Sequence, residues 1–202
     1  GFFVKAAAER AGAYARLQRF ARDSDGALDE AIASALDGTD LLITIGGVSV
    51  GDRDLVRPAL ERAGVEISFY KVAMKPGKPI TFGRRGKTRV LGLPGNPASS
   101  SLTFLLFGLP LIRRMLADTN NTPSFVKTPV KVNSGSLRRK PGRTEFARAQ
   151  LTSADKGMHA TLLPNQASGA VTSFAQAEAL VRIDAEVELV RDGDELPVMK
   201  LW

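Results

Sequence analysis

No feature constrains this chain more than the run Leu41-Leu42-Ile43-Thr44-Ile45 passing directly into Gly46-Gly47. A short, nearly continuous apolar run is of the sort that fills a central parallel strand, and paired glycines allow an abrupt turn after it. The next periodic segment predicts a helix from about Asp54 to Ala63. Upstream, Asp23-Ser24-Asp25 offers N-caps for a helix whose apolar residues Leu28, Ala31, Ile32, Ala35 and Leu36 fall on one face, with Gly38 ending it. A strand set between helices in this way implies a doubly wound α/β sheet. Further segments extend the pattern: a helix over Phe2 to Arg10 and a weak strand near Tyr14 to Phe20 precede it. Beyond it lie a strand over Ser68 to Met74, a hairpin of Ile80 to Phe82 with Arg89 to Leu93, and a helix over Ser99 to Ala117 bent at Pro110.

The polar stretch Thr119-Asn120-Asn121-Thr122-Pro123 has no periodicity and reads as a linker. It divides the chain into an α/β domain, residues 1–122, and a C-terminal domain, residues 123–202. The second part is strand-like and broken by turns, over Val126 to Val132, Thr144 to Leu151, His159 to Leu163, Ala179 to Ile183 and Leu196 to Leu201. That spacing predicts a small β-barrel or sandwich.

Charge is local. Between Arg53 and Arg89 ten lysines and arginines face only Asp54, Glu61 and Glu66, so this segment alone carries +7, which equals the net charge of the whole chain. An anionic ligand is expected there. Aromatics make up only 6% of the chain and no arginine-rich helix is present, so a small phosphate or oxyanion fits better than nucleic acid. The longest greasy stretch, Leu102 to Ile112, is broken by Gly108 and Pro110 and is too short to span a membrane. The absence of cysteine removes disulfides, thiolate metal sites and cysteine nucleophiles, and one histidine without triad-spaced partners argues against Ser-His-Asp hydrolysis. Without a recognisable leader, the expected location is the cytoplasm.

Three loops could carry chemistry. In Gly46-Gly47-Val48-Ser49-Val50-Gly51-Asp52-Arg53-Asp54, glycines let backbone N–H groups approach a phosphate, at the carboxyl end of a strand where open α/β sheets bind ligands. A tight turn with Asp54 capping the following helix would use the same residues. Asp52 and Asp54 could share a Mg²⁺ through oxygen ligands. In Lys71-Val72-Ala73-Met74-Lys75-Pro76-Gly77-Lys78-Pro79, two prolines and a glycine stiffen a loop that presents several ammonium groups, suited to a multiply charged anion or to an exposed turn. Gly92-Leu93-Pro94-Gly95-Asn96-Pro97 repeats the strand-to-loop-to-helix geometry of the first. In the second domain Arg143, Arg148 and Asn165-Gln166-Ala167-Ser168-Gly169 are polar features that fit either a cleft or a solvated strand face and a helix cap.

Together, GGVSVGDRD, KVAMKPGKPITFG, GLPGNPASS, TEFARAQL and NQASG resemble the molybdopterin molybdenumtransferase family, of the MoeA and gephyrin E-domain type. The resemblance covers nearly the whole chain: a MogA-like molybdopterin-binding domain lacking its first strand and its Thr-Gly-Asp-Glu loop, then a small C-terminal β-domain. Members carry two further domains, so the expectation is a C-terminal part of a longer protein. The resemblance implies a Mg²⁺-dependent transfer of molybdenum from molybdate to adenylated molybdopterin with release of AMP, by a homodimer. Asp23, Asp54, Lys71 and Lys75 match family active-site residues, and Lys78 with Pro79 match the oxyanion side of its pocket. Gly46, Gly47, Ser49, Pro94, Gly95, Asn96 and Pro97 fall in its ligand loops. Arg148 and Ser168 match β-domain residues that reach the molybdate, and Asp52 with Asp54 would hold the metal. A non-catalytic scaffolding module of the gephyrin type is the alternative that the resemblance also allows.

Overall fold

The computed structural model describes residues 1–18, 25–47, 55–119, 122–154, 157–167 and 169–201. These form two compact units: Gly1–Val72 with Gly77–Asn121, and Ala73–Pro76 with Thr122–Trp202. The short segment from Ala73 to Pro76 thus groups with the second unit although its neighbours in sequence belong to the first.

The first unit contains α1 (Phe2–Arg10), α2 (Asp25–Leu36), β1 (Leu41–Ile45), α3 (Val56–Arg62) and β2 (Glu66–Tyr70). After the excursion of β3 (Met74–Lys75) it resumes with β4 (Thr81–Arg85), β5 (Thr88–Leu93), α4 (Pro97–Thr103), a π-helical segment (Phe104–Gly108) and α5 (Leu109–Met115). The sheet order is β1-β5-β4-β2. Only β1 and β5 run parallel; β5, β4 and β2 are successively antiparallel, so the sheet is mixed in direction. β1, expected as a central strand, stands at the end of that order among the described residues because only β5 pairs with it, yet both faces of the sheet are covered. Val90 packs with Ile32, Leu36, Ala59 and Leu60 from α2 and α3, while Leu91 and Leu93 pack with Val4, Ala8, Phe104 and Ile112 on the other side. The alternation of β5 between the two clusters is the period of a pleated strand.

The helix expected to bend at Pro110 is irregular ahead of that residue, with one widened turn between α4 and α5. Proline cannot donate the bond its position needs, and the irregular turn falls at Phe104–Gly108, immediately before it. Gly108 lets this turn pack: a Cβ there would stand 2.4 Å from the Phe104 ring. The strand expected near Tyr14 to Phe20 is absent over its described part. Ala13 and Ala15 lean on the core, but no neighbouring strand pairs with the segment, which therefore stays outside any ladder.

The second unit adds β6 (Val126–Lys131), β7 (Ser136–Arg138), β8 (Thr144–Ala154), β9 (Gly157–Leu162), α6 (Val171–Ala175), β10 (Ala179–Ile183), β11 (Leu189–Arg191) and β12 (Glu195–Lys200). The order β10-β12-β6-β9-β8 closes through a further β10–β8 pairing into a five-strand barrel. Val130, Ala147, Ala149, Ala160, Leu162, Val181 and Ile183 fill it. Small alanines from β8 and β9 face branched residues from β6 and β10, which suits so narrow an interior. β3 lies parallel to β8 outside this closed set.

Candidate functional site

In the first unit the loops after β1 and β5 meet. Gly46 N–H donates to the Leu93 carbonyl at 3.0 Å, and a Cβ placed on Gly95 would lie 3.3 Å from Gly46 Cα. Two of the loops singled out by sequence are therefore in backbone contact, and glycine at both positions permits it. Gly46 and Gly47 have φ of 87° and 69°, and a Cβ on Gly47 would strike Val56 Cγ2 at 2.2 Å. Pro94 and Gly95 lead to Asn96, the N-cap of α4, with Pro97 in the first turn and Ser100 N–H donating to the Asn96 carbonyl at 2.8 Å.

Beneath these loops lies a rung the sequence analysis missed. Thr44 of β1 and Thr81 of β4 both pair with Gly92 of β5, so the two threonines flank a residue without a side chain on one face of the sheet. Thr44 is 3% exposed and Thr81 fully buried, and neither hydroxyl has a hydrogen-bond partner. Each threonine stands just before or after one of the three loops; Thr44 is the polar residue of an otherwise apolar strand, whereas Thr81 opens β4, which ends in Arg84 and Arg85.

The lysine loop is divided between the units. Lys71 takes a φ of 71°, unusual for a residue with a Cβ, and its N–H donates to the Ile80 carbonyl at 2.9 Å. Its ammonium lies 4.6 Å from the centroid of the Tyr70 ring, over which Arg57 also lies at 5.0 Å. Lys78 is exposed, and its carbonyl accepts from Val72 N–H at 3.0 Å, next to Pro79.

Lys75 belongs to the second unit. In β3 it pairs with Glu145 of β8, and its Nζ lies 3.0 Å from Glu145 Oε1. The second oxygen of the same carboxylate accepts from Arg139 Nε at 3.2 Å. Arg139 spends its other nitrogens on the carbonyls of Asp184, Val187 and Arg143. Arg139 carried no mark in the sequence and Glu145 only its place in TEFARAQL, since their pairing arises only when the barrel forms. Arg143 itself is exposed and contributes that carbonyl.

Arg148 is the most deeply buried charged side chain described, 1% exposed. Its Nη2 donates to the carbonyls of Asn165 and Ala167, each at 3.1 Å, while Nε and Nη1 have no partner. Burial pulls the guanidinium below its ordinary pKa, and the Glu145 carboxylate opposes that shift. A buried cation with unpaired donors is costly, and an oxyanion supplies the acceptors it lacks. The loop expected near Ser168 thus does meet Arg148, through Asn165, Gln166 and Ala167.

Asp23, Ser49, Asp52, Asp54 and Ser168 lie outside the described residues. Among the described residues no group of three or more acidic or histidine side chains is placed to hold a metal ion, and no helix is long and apolar enough to cross a membrane.

Residues 1–114 match the family model for a "probable molybdopterin binding domain", and residues 130–201 that for the MoeA C-terminal region, domain IV. The molybdenum cofactor synthesis protein cinnamon of Drosophila melanogaster is 35% identical over 89% of this chain and 30% of its own length. A molybdopterin molybdenumtransferase of Bacillus subtilis is 34% identical over 84% of this chain and 39% of its own. A crystal structure of the molybdopterin biosynthesis MoeA protein from Pyrococcus horikosii superposes with a TM-score of 0.69 at 29% identity, over 90% of this chain and 43% of that one. The chain therefore spans less than half the length of these relatives. With more than half of its residues matched by one model and most of the remainder by the other, the chain belongs to the molybdopterin-binding domain family, continued by a MoeA-type C-terminal region.

Proposed function

We propose that the chain acts in molybdenum cofactor synthesis as part of a molybdopterin molybdenumtransferase, taking molybdate and adenylated molybdopterin and releasing AMP. The observation that carries this reading is Arg148: a buried guanidinium with Nε and Nη1 unpartnered and Nη2 fixed by two carbonyls. Its planar donors match the oxygens of a tetrahedral oxyanion. The relatives named above supply the class of reaction.

In this reading each unit contributes its own residues. In the first, Gly46, Gly47, Pro94, Gly95, Asn96 and Pro97 form the ligand loops for the pyrophosphate, and Lys71 and Lys78 offset its charge. In the second, Arg148 and Ser168 bind molybdate, and Lys75 stabilises negative charge as the phosphoanhydride breaks and AMP departs. Asp23 would serve as a further catalytic carboxylate. Mg²⁺ would have to draw its oxygen donors from the segment holding Asp52 and Asp54; the described residues offer no acidic cluster for it, and no step here runs through it. The proposed working form is a cytoplasmic homodimer.

The test is AMP release from adenylated molybdopterin by this chain, with and without molybdate, for wild type and Arg148→Ala. Molybdate-stimulated release that falls at least about tenfold in the variant is expected. Release that ignores both molybdate and the substitution would overturn the reading.

A further inference from the structure

The ladder between β8 and β9 ends in an unusual way. It runs as far as the Ala149–Leu162 pair, and Leu163 N–H still donates to the Arg148 carbonyl at 2.9 Å. The reciprocal bond, from Arg148 N–H to a strand carbonyl, is replaced by a side chain. Gln166 Oε1 accepts from Arg148 N–H at 2.9 Å, and Gln166 Nε2 donates to the carbonyls of Arg148 at 2.9 Å and Leu163 at 2.7 Å. One N–H donor and two carbonyl acceptors fix the orientation of the amide, since only its oxygen can meet the first and only its nitrogen the others.

We propose that Gln166 is a positioning residue for Arg148, an inference that rests on reading Arg148 as an oxyanion ligand. The amide stands in for the missing rung and clamps the backbone of Arg148 on the edge that β10 does not cover. The residues on either side of Gln166 then supply the two carbonyls, of Asn165 and Ala167, that hold Nη2. Asn165 is itself fixed: its carbonyl accepts from Ser173 Oγ at 2.6 Å, and its Oδ1 accepts from Ala167 N–H at 3.1 Å. Backbone and guanidinium are thus anchored by one loop, and Nε and Nη1 are left for the ligand. Gln166 reaches no ligand in this scheme; it sets where the guanidinium stands.

The experiment is isothermal titration of the 202-residue chain with molybdate, for wild type, Arg148→Ala, Gln166→Ala and the double variant, with urea unfolding of each alongside. Gln166→Ala is expected to weaken binding about tenfold, and the double variant to bind no more weakly than Arg148→Ala alone. If wild type takes up no molybdate, or Arg148→Ala binds as well as wild type, the reading of Arg148 fails and the inference with it. If Arg148→Ala weakens binding while Gln166→Ala only lowers stability, or if the two losses add, the positioning role alone is wrong. Should Gln166→Ala not fold, Gln166→Glu keeps the volume and the acceptor for Arg148 N–H but sets a carboxylate oxygen against two carbonyls. It must then shift the Nε–H resonance of Arg148 in the ligand-free chain; an unmoved resonance overturns the inference.

Discussion

Lys75 and Glu145 form an ion pair of unequal partners: Nζ and Oε1 are 3.0 Å apart, yet the lysine side chain is 48% exposed and the glutamate side chain only 8%. Glu145 is also held by Arg139, so its carboxylate is a structural group that a more exposed cation visits.

That inequality separates two substitutions. Glu145→Ala leaves Arg139 buried without its counter-charge and is expected to cost about 3 kcal/mol of stability. Lys75→Ala removes a half-exposed partner and should cost less than about 1 kcal/mol while reducing AMP release. Urea midpoints for both variants decide it; equal losses would make Lys75 a structural residue.

The threonine rung predicts a gain. Two buried hydroxyls without partners weigh against folding, so Thr44→Val and Thr81→Val should each raise stability by about 1 kcal/mol. Measured alongside binding of adenylated molybdopterin, a more stable but weaker-binding variant would place the hydroxyl in the ligand site. A lower melting temperature would mean that the hydroxyl is satisfied in solution.

At the first glycine loop the two glycines should respond differently. Gly47→Ala combines a left-handed φ with a 2.2 Å clash on Val56 and is expected to cost about 2 kcal/mol. Among the described residues a Cβ on Gly46 meets only Gly95 Cα, at an ordinary 3.6 Å, so the cost of Gly46→Ala is that of the backbone conformation, about 1 kcal/mol. Chemical denaturation of both variants tests the order, and the reverse order would contradict the packing described.

Asp29 on α2 accepts from Arg62 Nε at 2.9 Å and Nη2 at 2.7 Å on α3. The hydrogen bonds, aided by the guanidinium charge and opposed by desolvation, hold its carboxyl below 3.8. Because folding lowers this pKa, the contribution is complete above the unfolded value and disappears as pH falls through the folded one. In Arg62→Ala the Asp29 carboxyl should titrate closer to 3.8 by carbon-detected NMR; an unchanged midpoint would deny the pair any influence.

Much of the first unit was readable from local pattern. Ile32 and Leu36 announce the buried face of α2, and Gly86-Lys87 the turn between β4 and β5, whereas the apolar run of β1 promises a central strand and β1 stands at the end of the sheet order. What escaped depends on partners distant in sequence. The strand expected over Ser68 to Met74 divides into β2 and β3, with Lys75 drawn into β3 because β8 offers an edge, and the short β7 and β11 pair only with each other. The extended segment at Tyr14 fails for the opposite reason, having strand-like residues but no neighbour. The candidate site divides similarly. Glycine and proline spacing marks the loops at Gly46 and Gly95, because backbone conformation is written locally. Glu145, Arg139, Gln166 and the Thr44–Thr81 rung take their meaning from burial and from hydrogen bonds that local spacing does not encode.

The excursion of Ala73–Pro76 has a consequence for anyone dissecting this molecule. The chain crosses between its two units three times, so no single cut releases either one whole. Severing at the linker would strand β3 on the wrong fragment and strip β8 of a neighbour. In genetic terms the two units are interleaved, and an exchange with a relative would keep both intact only if it took residues 73–76 together with the C-terminal part.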